Sequence, residues 1–172
     1  FKELDVWSNE LGPESIFSLV NADWADSLTH LDAWGNLIGD DGVKAIARSS
    51  KLTSLRSLDL SRNSITANGL RALLDHQPLG ELRQLSLCWN PITDEGVDLL
   101  RASPFLSQLI DLELRRIEAS SDAMLRFVES PHFGPHLKLW IDEWTWDDKV
   151  KHALRERRGD QVDYGYMDTE EW

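Results

Sequence analysis

Apolar residues along this chain follow a pattern that recurs every 27 residues without a gap. The clearest copy spans residues 55–65 and reads Leu-x-x-Leu-x-Leu-x-x-Asn-x-Ile. A fixed period of this length indicates a repeat protein, in which each supersecondary unit stacks on the next. We therefore predict repeats over residues 1–144, with full units starting at residues 1, 28, 55, 82 and 109 and a decayed unit at residue 136.

Each unit divides into a strand and a helix. The fourth and sixth positions share one face by period-two alternation, as Leu58 and Leu60 do, which is typical of a strand with one buried face. The second half carries an apolar stripe at i, i+3 and i+4, such as Ile16, Leu19 and Val20, which predicts an amphipathic helix. Units of this kind, stacked in parallel, predict a curved α/β solenoid.

The twelfth position of each unit is expected to cap its helix, since it mostly holds acceptable N-cap residues. Acidic residues follow in the first helical turn, where the helix dipole favours negative charge. The five predicted caps are Gly12, Gly39, Thr66, Thr93 and Ser120.

An asparagine follows the strand in each of the first four units, at Asn9, Asn36, Asn63 and Asn90. In a stacked repeat, its amide can bond backbone groups of a turn that has no strand partner. Ile117 occupies this position in the fifth unit and has no amide, so we expect that turn to depart from its neighbours.

The end of the repeats carries the residues of a cap over positions 145–159. Asp147 is expected to cap a helix that runs to Arg158. Trp144 and Trp146 are expected to close the end of the core, because buried tryptophan contributes a large apolar area. Residues 160–172 hold five acids and no base, which predicts an extended acidic tail. The start at Phe1, without Met or a visible cap, predicts that the natural chain begins further upstream.

The asparagine turns and helix ends of this chain resemble those of known repeat proteins. The runs that carry the resemblance are residues 36–42, 63–69 and 90–96, together with the helix ends at residues 102–106 and 129–133. They are similar to the ribonuclease-inhibitor-like subclass of leucine-rich repeats, and especially to bacterial versions. The resemblance implies a right-handed horseshoe arc with parallel strands on the concave face, helices outside, and a protein ligand in the concavity.

Composition narrows the function classes. The chain is 41% hydrophobic and 28% charged, which is typical of a folded protein, and no stretch approaches the roughly 18 apolar residues of a membrane span. Its single cysteine, Cys88, favours a reducing compartment, so we predict a cytoplasmic location and leave export as an effector open. A net charge of −12 argues against nucleic acid and suits either a basic protein partner or simply a soluble surface.

If the fourth and sixth positions face the core, then the third, fifth and seventh face the concave side. Asp5, Asp32 and Asp59 would form a row of like charges on strands about 4.8 Å apart, which folding does not require. Trp7 and Trp34 are expected to stand exposed beside that row, where aromatic anchors and carboxylates suit a basic partner. The alternative is a merely solvated strand surface with each tryptophan against a neighbouring strand. The predicted partner-binding residues are Asp5, Trp7, Asp32, Trp34, Asp59, Trp89, Glu113 and Trp140.

The sequence gives little indication of a catalytic or metal-binding site. No loop has the ligand spacing of a calcium site, and His132 and His136 flank a Gly-Pro pair instead of sharing a helical face. Cys88 is expected on the exposed seventh column, without a histidine neighbour to activate it. We therefore predict no catalytic, metal or cofactor site, and a non-enzymatic module that binds a basic protein, in one form an inhibitor or immunity protein. The alternatives are a recognition part of a ubiquitin-ligase or GTPase-activating system, and a purely structural segment.

Overall fold

A computed structural model describes residues 2–75, 79–142, 146–158 and 162–164, the last of these by backbone only. Within these residues, seven strands pair in parallel and in chain order to form one sheet. The strands are β1 (Glu3–Asp5), β2 (His30–Asp32), β3 (Ser57–Asp59), β4 (Gln84–Ser86), β5 (Asp111–Glu113), β6 (Lys138–Ile141) and β7 (Val162–Tyr164).

Helices follow the first six strands along the chain. They are α1 (Pro13–Val20), α2 (Gly39–Arg48), α3 (Ala67–Asp75), α4 (Asp94–Ala102), α5 (Ser121–Val128) and α6 (Asp148–Arg158). Short 3-10 helices at Asp23–Ser27, Leu52–Ser54 and Pro104–Gln108 lead back to the next strand. No helix in the described ranges is long and apolar enough to cross a bilayer.

The core lies between the sheet and the helices, as the repeat pattern predicts. The strand register advances by one period per unit, so Leu31 pairs with Leu58 and Leu58 with Leu85, and all three side chains are buried. From the helices, Ile16, Ile46 and similar residues of each apolar stripe pack into the same core. Strands are spaced by about 4.8 Å but helices need about 8–10 Å, so the stack curves with its strands on the concave side. The predicted α/β solenoid is confirmed.

The asparagines form the predicted ladder between units. The Asn36 Oδ1 accepts hydrogen bonds from the backbone N–H groups of Asn9 (3.0 Å) and Leu11 (2.9 Å) in the preceding unit. Its Nδ2 donates to the Val6 carbonyl of that unit and to the Ala33 carbonyl of its own turn, both at 3.0 Å. Asn63 and Asn90 repeat this arrangement one and two units further on.

The turn of the fifth unit departs from this ladder, as the isoleucine predicts. Ile117 is buried among apolar side chains. The Ile92 N–H, which would find an asparagine oxygen in a regular unit, bonds the Asn90 carbonyl of its own turn at 2.7 Å. Between the fifth and sixth units the Asp142 Oδ2, directly after β6, accepts from the Arg116 N–H at 2.5 Å, whereas the same N–H of earlier units bonds a backbone carbonyl of the next unit.

The residue at the eighth position adopts the left-handed backbone region in all five full units. Gly35 does so at φ 66°, where glycine has no steric penalty, but Arg62 (φ 53°), Trp89 (φ 57°) and Arg116 (φ 56°) do so with large side chains. The backbone leaves each strand by the same sharp turn, which aims the eighth side chain along the sheet edge.

The helix caps partly match the prediction. The Ser120 Oγ accepts from the Ala123 N–H at 3.2 Å, and the Thr66 Oγ1 accepts from the Asn68 N–H at 3.2 Å. The cap predicted at Gly39 is wrong by one residue: α2 already includes that glycine, and Ile38 precedes it with helical backbone angles. Gly12 and Thr93, by contrast, directly precede α1 and α4 as predicted.

The C-terminal cap forms around α6. The Asp147 Oδ1 accepts from the N–H groups of Lys149 (3.1 Å) and Val150 (3.0 Å), which confirms its capping role. Trp146 is 3% exposed and closes the core, while Trp144 lies outside the described residues. Within the predicted tail, Val162–Tyr164 form β7 and pair with β6, and the rest of residues 159–172 lie outside the described part.

Candidate functional site: the concave strip

The strand face away from the helices carries the third and fifth positions of every unit, and we call this face, together with the seventh-position residues beside it, the concave strip. The register pairs Asp5 with Asp32 and Asp32 with Asp59, so the three carboxylates follow one another across β1, β2 and β3. We call these three residues the acidic row. Asp5 is exposed, whereas Asp32 and Asp59 are half-buried between their neighbours.

Each member of the acidic row also has a structural role. The Oδ1 atoms of Asp5, Asp32 and Asp59 accept hydrogen bonds from the backbone N–H two residues ahead, at 3.1, 3.0 and 2.8 Å. An acceptor here satisfies a donor at the point where the strand turns sharply. The expectation that folding does not need this row is therefore wrong in part, because the carboxylate oxygen is needed although its charge is not.

Charge accumulates at the inner end of the row. Burial raises the pKa of the Asp59 carboxyl, hydrogen bonds from Ser61 lower it, and the carboxylates of Asp32 and Glu113 raise it further. Asp59, Asp111 and Glu113 converge on a depression of about 150 Å³ on the concave face. The middle of the strip is thus an electronegative and partly desolvated surface.

Two tryptophans stand at the seventh position beside the acidic row. Trp7 is 55% exposed and meets Trp34 edge to face, with ring centroids 6.2 Å apart. The guanidinium of Arg62 lies over the Trp34 ring at 5.5 Å. We call Trp7 and Trp34 the tryptophan pair; Trp7 is exposed as the sequence predicts, whereas Trp34 is half-buried between Trp7 and Arg62.

Three of the four remaining residues of the seventh column are buried and the fourth, Arg115, is only 20% exposed, which corrects the expectation of an exposed column. Ser61, Cys88 and Asp142 are each less than 9% exposed, because each side chain contacts a residue of an adjacent unit, namely Ser86, Glu113 and Arg116. Burial raises the pKa of the Cys88 thiol, and its Sγ lies 3.6 Å from the Ser86 Oγ and from the Glu113 Oε2. A buried, protonated thiol is a poor nucleophile.

The C-terminal half of the strip satisfies its own charges. Glu113 accepts a hydrogen bond from Arg115 at 2.8 Å, and the Arg115 guanidinium lies 5.9 Å from the Trp140 ring centroid. The Trp140 Nε1 donates to the Asp111 Oδ1 at 2.8 Å, and the Lys138 Nζ lies over the same ring at 3.7 Å. Trp140 therefore reaches the concave face with cations of this chain already on its ring.

Trp89 lies at the eighth position and not in a strand column. Its ring lies under the guanidinium of Arg116 at 5.1 Å, at the sheet edge where Arg62 meets Trp34. Arg62 and Arg116 are not among the residues predicted from the sequence to lie at this surface. Their one signal is that they occupy the same position as Trp89 in adjacent units, which places them next to the tryptophans once the turn is known.

The structure is that of a repeat protein with an open concave sheet face. The profile of a family described as "Leucine Rich repeat" matches residues 27–47, 51–74 and 82–100. The chain thus contains leucine-rich repeats. A search of curated proteins gave no match.

Two solved structures are similar to this chain. The tropomodulin C-terminal domain of Caenorhabditis elegans has a TM-score of 0.63 at 15% identity, over 84% of this chain and 90% of that one. Internalin C2 of Listeria monocytogenes has a TM-score of 0.44 at 20% identity, over 93% of this chain and 77% of that one. The tropomodulin likeness supports the α/β repeat architecture alone.

Proposed function

We propose that this protein is a non-enzymatic interaction module that binds a basic protein on its concave face. The observation that carries the proposal is the coincidence of the acidic row with the tryptophan pair. Three carboxylates lie in one register beside Trp7, which is 55% exposed. Curved repeat proteins commonly use such concave surfaces for binding.

The two parts of this surface have complementary roles. Exposed tryptophan offers a large apolar area that a partner can bury, and tryptophan is enriched among residues that dominate binding energy. Carboxylates attract a positively charged partner and pair with it at short range. The proposed contact residues are Asp5, Trp7, Asp32, Trp34, Asp59 and Glu113. Trp89 and Trp140 are proposed at the margins of the contact surface, because cationic side chains of this chain already lie over their rings.

The finer parts of the proposal concern class and setting. We propose the ribonuclease-inhibitor-like subclass of bacterial type, because each unit joins a strand to a helix of 8–10 residues within 27 residues. In this form the module acts in the cytoplasm as an inhibitor or immunity protein that covers a basic surface.

The structure supplies a charge-only test. Asparagine keeps the carbonyl acceptor that the turn needs, so the triple variant Asp5→Asn, Asp32→Asn, Asp59→Asn removes three charges and preserves the backbone hydrogen bonds. A matched control removes three exposed charges from the helix side, by Glu14→Gln, Asp122→Asn and Glu129→Gln. Captured proteins from a lysate of the source organism are identified by mass spectrometry, purified and titrated by calorimetry.

We expect a basic protein to bind the unchanged chain and the control equally, and the triple variant at least about tenfold more weakly. The affinity of the unchanged chain for the basic protein should fall as salt is added. Equal binding by all three chains contradicts the proposal. Capture of a GTPase or ubiquitin-system protein independent of the row favours the recognition alternative, and no specific partner favours a structural segment.

A further inference from the structure

We propose that the N-terminal half of the concave strip is a receptacle for arginine side chains, so that arginine and not lysine anchors the partner. This inference rests on the proposed function and specifies its chemistry. The receptacle consists of the acidic row and the tryptophan pair.

The chain contains an occupied version of such a receptacle. In the C-terminal half, Arg115 donates to Glu113 at 2.8 Å while its guanidinium lies 5.9 Å from the Trp140 ring centroid. Glu113 and Trp140 are register partners on β5 and β6, so a carboxylate and an indole on adjacent strands hold one guanidinium between them. The side chain of Arg115 is only 20% exposed in this setting.

The N-terminal half presents the same groups on the surface. Trp7 follows Asp5 by two residues in β1 and its turn, and Asp32 lies directly across the register from Asp5. Trp34 already holds a guanidinium, that of Arg62 at 5.5 Å. Trp7 is 55% exposed and lies directly after β1, whereas Trp34 is half-buried. A guanidinium from a partner can stack on Trp7 and pair with the carboxylates beside it.

Arginine fits this arrangement better than lysine for a geometric reason. Guanidinium is planar, stacks on aromatic faces, and donates two parallel hydrogen bonds to one carboxylate. Lysine can rest on an indole, as Lys138 does at 3.7 Å from the Trp140 ring, but its ammonium is a strongly hydrated point charge. Acidic surfaces without aromatic faces attract both cations by charge alone. A preference for arginine over lysine therefore indicates that the tryptophan pair takes part in binding.

The test compares fluorescein-labelled hexa-arginine and hexa-lysine peptides, which carry equal charge, by anisotropy at low ionic strength. Four chains are titrated: the unchanged protein, the triple Asp→Asn variant, Trp7→Leu, and the control Trp24→Leu, which removes an exposed tryptophan from the 3-10 helix Asp23–Ser27. Circular dichroism and unfolding curves verify that all three variants keep the fold.

We expect the unchanged protein and the Trp24→Leu control to bind hexa-arginine about fivefold more tightly than hexa-lysine. Trp7→Leu should reduce this ratio to below about twofold while its affinity for hexa-lysine stays the same. Equal binding of both peptides, or a ratio that survives Trp7→Leu, overturns the arginine inference and leaves an acidic docking face. Binding of neither peptide, or binding unaffected by the triple Asp→Asn variant, overturns the proposed function as well.

Discussion

At the scale of single residues, Asp59 meets two opposing demands. Its Oδ1 is required as an acceptor for the Ser61 N–H at 2.8 Å, where β3 ends and the backbone turns. Its negative charge is unfavourable there, because burial raises the pKa of the carboxyl and the nearby carboxylates of Asp32 and Glu113 add to that shift. Hydrogen bonding and charge can therefore be separated by experiment at this position.

Asp59→Asn should increase stability at pH 7, because it keeps the acceptor and removes the unfavourable charge. A raised folded pKa means that the folded state holds its proton longer than the unfolded chain, so ionisation of Asp59 destabilises the fold as pH rises above its ordinary value of 3.8. The gain should therefore shrink when urea unfolding is measured below that pH.

Asp41→Asn is the control of opposite sign. A hydrogen bond from Lys44 and its positive charge lower the pKa of the exposed Asp41 carboxyl, so its ionised form stabilises the fold above pH 3.8 and that stability is lost as pH falls. If Asp59→Asn loses stability at pH 7 as Asp41→Asn does, then the charge of Asp59 is favourable and our account of the row is wrong.

Asn63→Ala tests the asparagine ladder. Asn63 is fully buried, donates to the Ala33 and Ser61 carbonyls at 2.8 and 2.9 Å, and accepts from the Ile38 N–H at 3.3 Å. Leaving these groups unpaired should reduce the free energy of unfolding by about 3 kcal/mol, measured by urea denaturation. Asn9→Ala, at the same position of an exposed turn, should cost less than about 1 kcal/mol. Equal losses of unfolding free energy in the two variants would contradict a stabilising role for the asparagine ladder.

At the scale of the elements, a glycine at the fifteenth position fixes how close α2, α3 and α4 lie to their own turns, whereas α1 and α5 hold Ser15 and Ala123 there. Gly42, Gly69 and Gly96 lie in the first turns of α2, α3 and α4. A Cβ on Gly96 would lie 2.6 Å from the Ile92 Cγ2, which belongs to the core residue at the eleventh position. The helix can pack over that isoleucine only without a side chain here.

Gly96→Ala should destabilise the protein, although alanine is the better helix former. Alanine favours the helix by about 1 kcal/mol, but overpacking against a branched core side chain costs about 1–3 kcal/mol, so we expect a net loss in thermal denaturation. Gly12→Ser is the matched comparison, because a Cβ there meets nothing within 4 Å and serine is a better N-cap. Stabilisation by Gly96→Ala would show that the helix moves freely.

The elements were largely predictable from the sequence, whereas the exposure of the strip was not. Period and alternation predict strands and helices because the same apolar spacing recurs in every unit. Alternation alone also predicts an exposed Cys88. The next residue, Trp89, adopts the left-handed backbone region, however, and the Cys88 thiol is buried. The hydrogen-bonding role of Asp32 was missed for the same reason, since it depends on where the seventh N–H points.

At the scale of the whole molecule, the protein is a stack in which units contact mainly their neighbours. Helix contacts run from α1 to α2, α2 to α3 and onward to α6, and strand contacts run likewise. Stability in such a stack is approximately a sum over units and interfaces. The first unit is less enclosed: Leu4, Val6, Leu11 and Leu19 are only partly buried, whereas Leu31, Ala33, Ile38 and Ile46 at the same positions are fully buried.

Hydrogen exchange measured by NMR should therefore show a gradient along the stack. The Val6 N–H bonds the Asp32 carbonyl at 2.9 Å, and the Leu60 N–H bonds the Ser86 carbonyl at 3.0 Å, so the two bonds are equivalent in geometry. We expect Val6 to exchange at least about tenfold faster, because local opening of an end unit exposes fewer buried contacts. Equal protection would show that the chain opens only as one cooperative body.

The asparagine ladder also has a direction, with a consequence for how these units can be exchanged or duplicated. Asn36, Asn63 and Asn90 each bond the turn of the unit before them as well as their own. Substitution of one asparagine thus removes hydrogen bonds from the turn 27 residues earlier in the chain. In a mutational scan, a substitution at one asparagine should therefore disturb the turn that lies one period earlier in the chain. A transplantable module runs from one asparagine to the next, because a cassette cut at the strand starts separates each turn from the side chain that completes it.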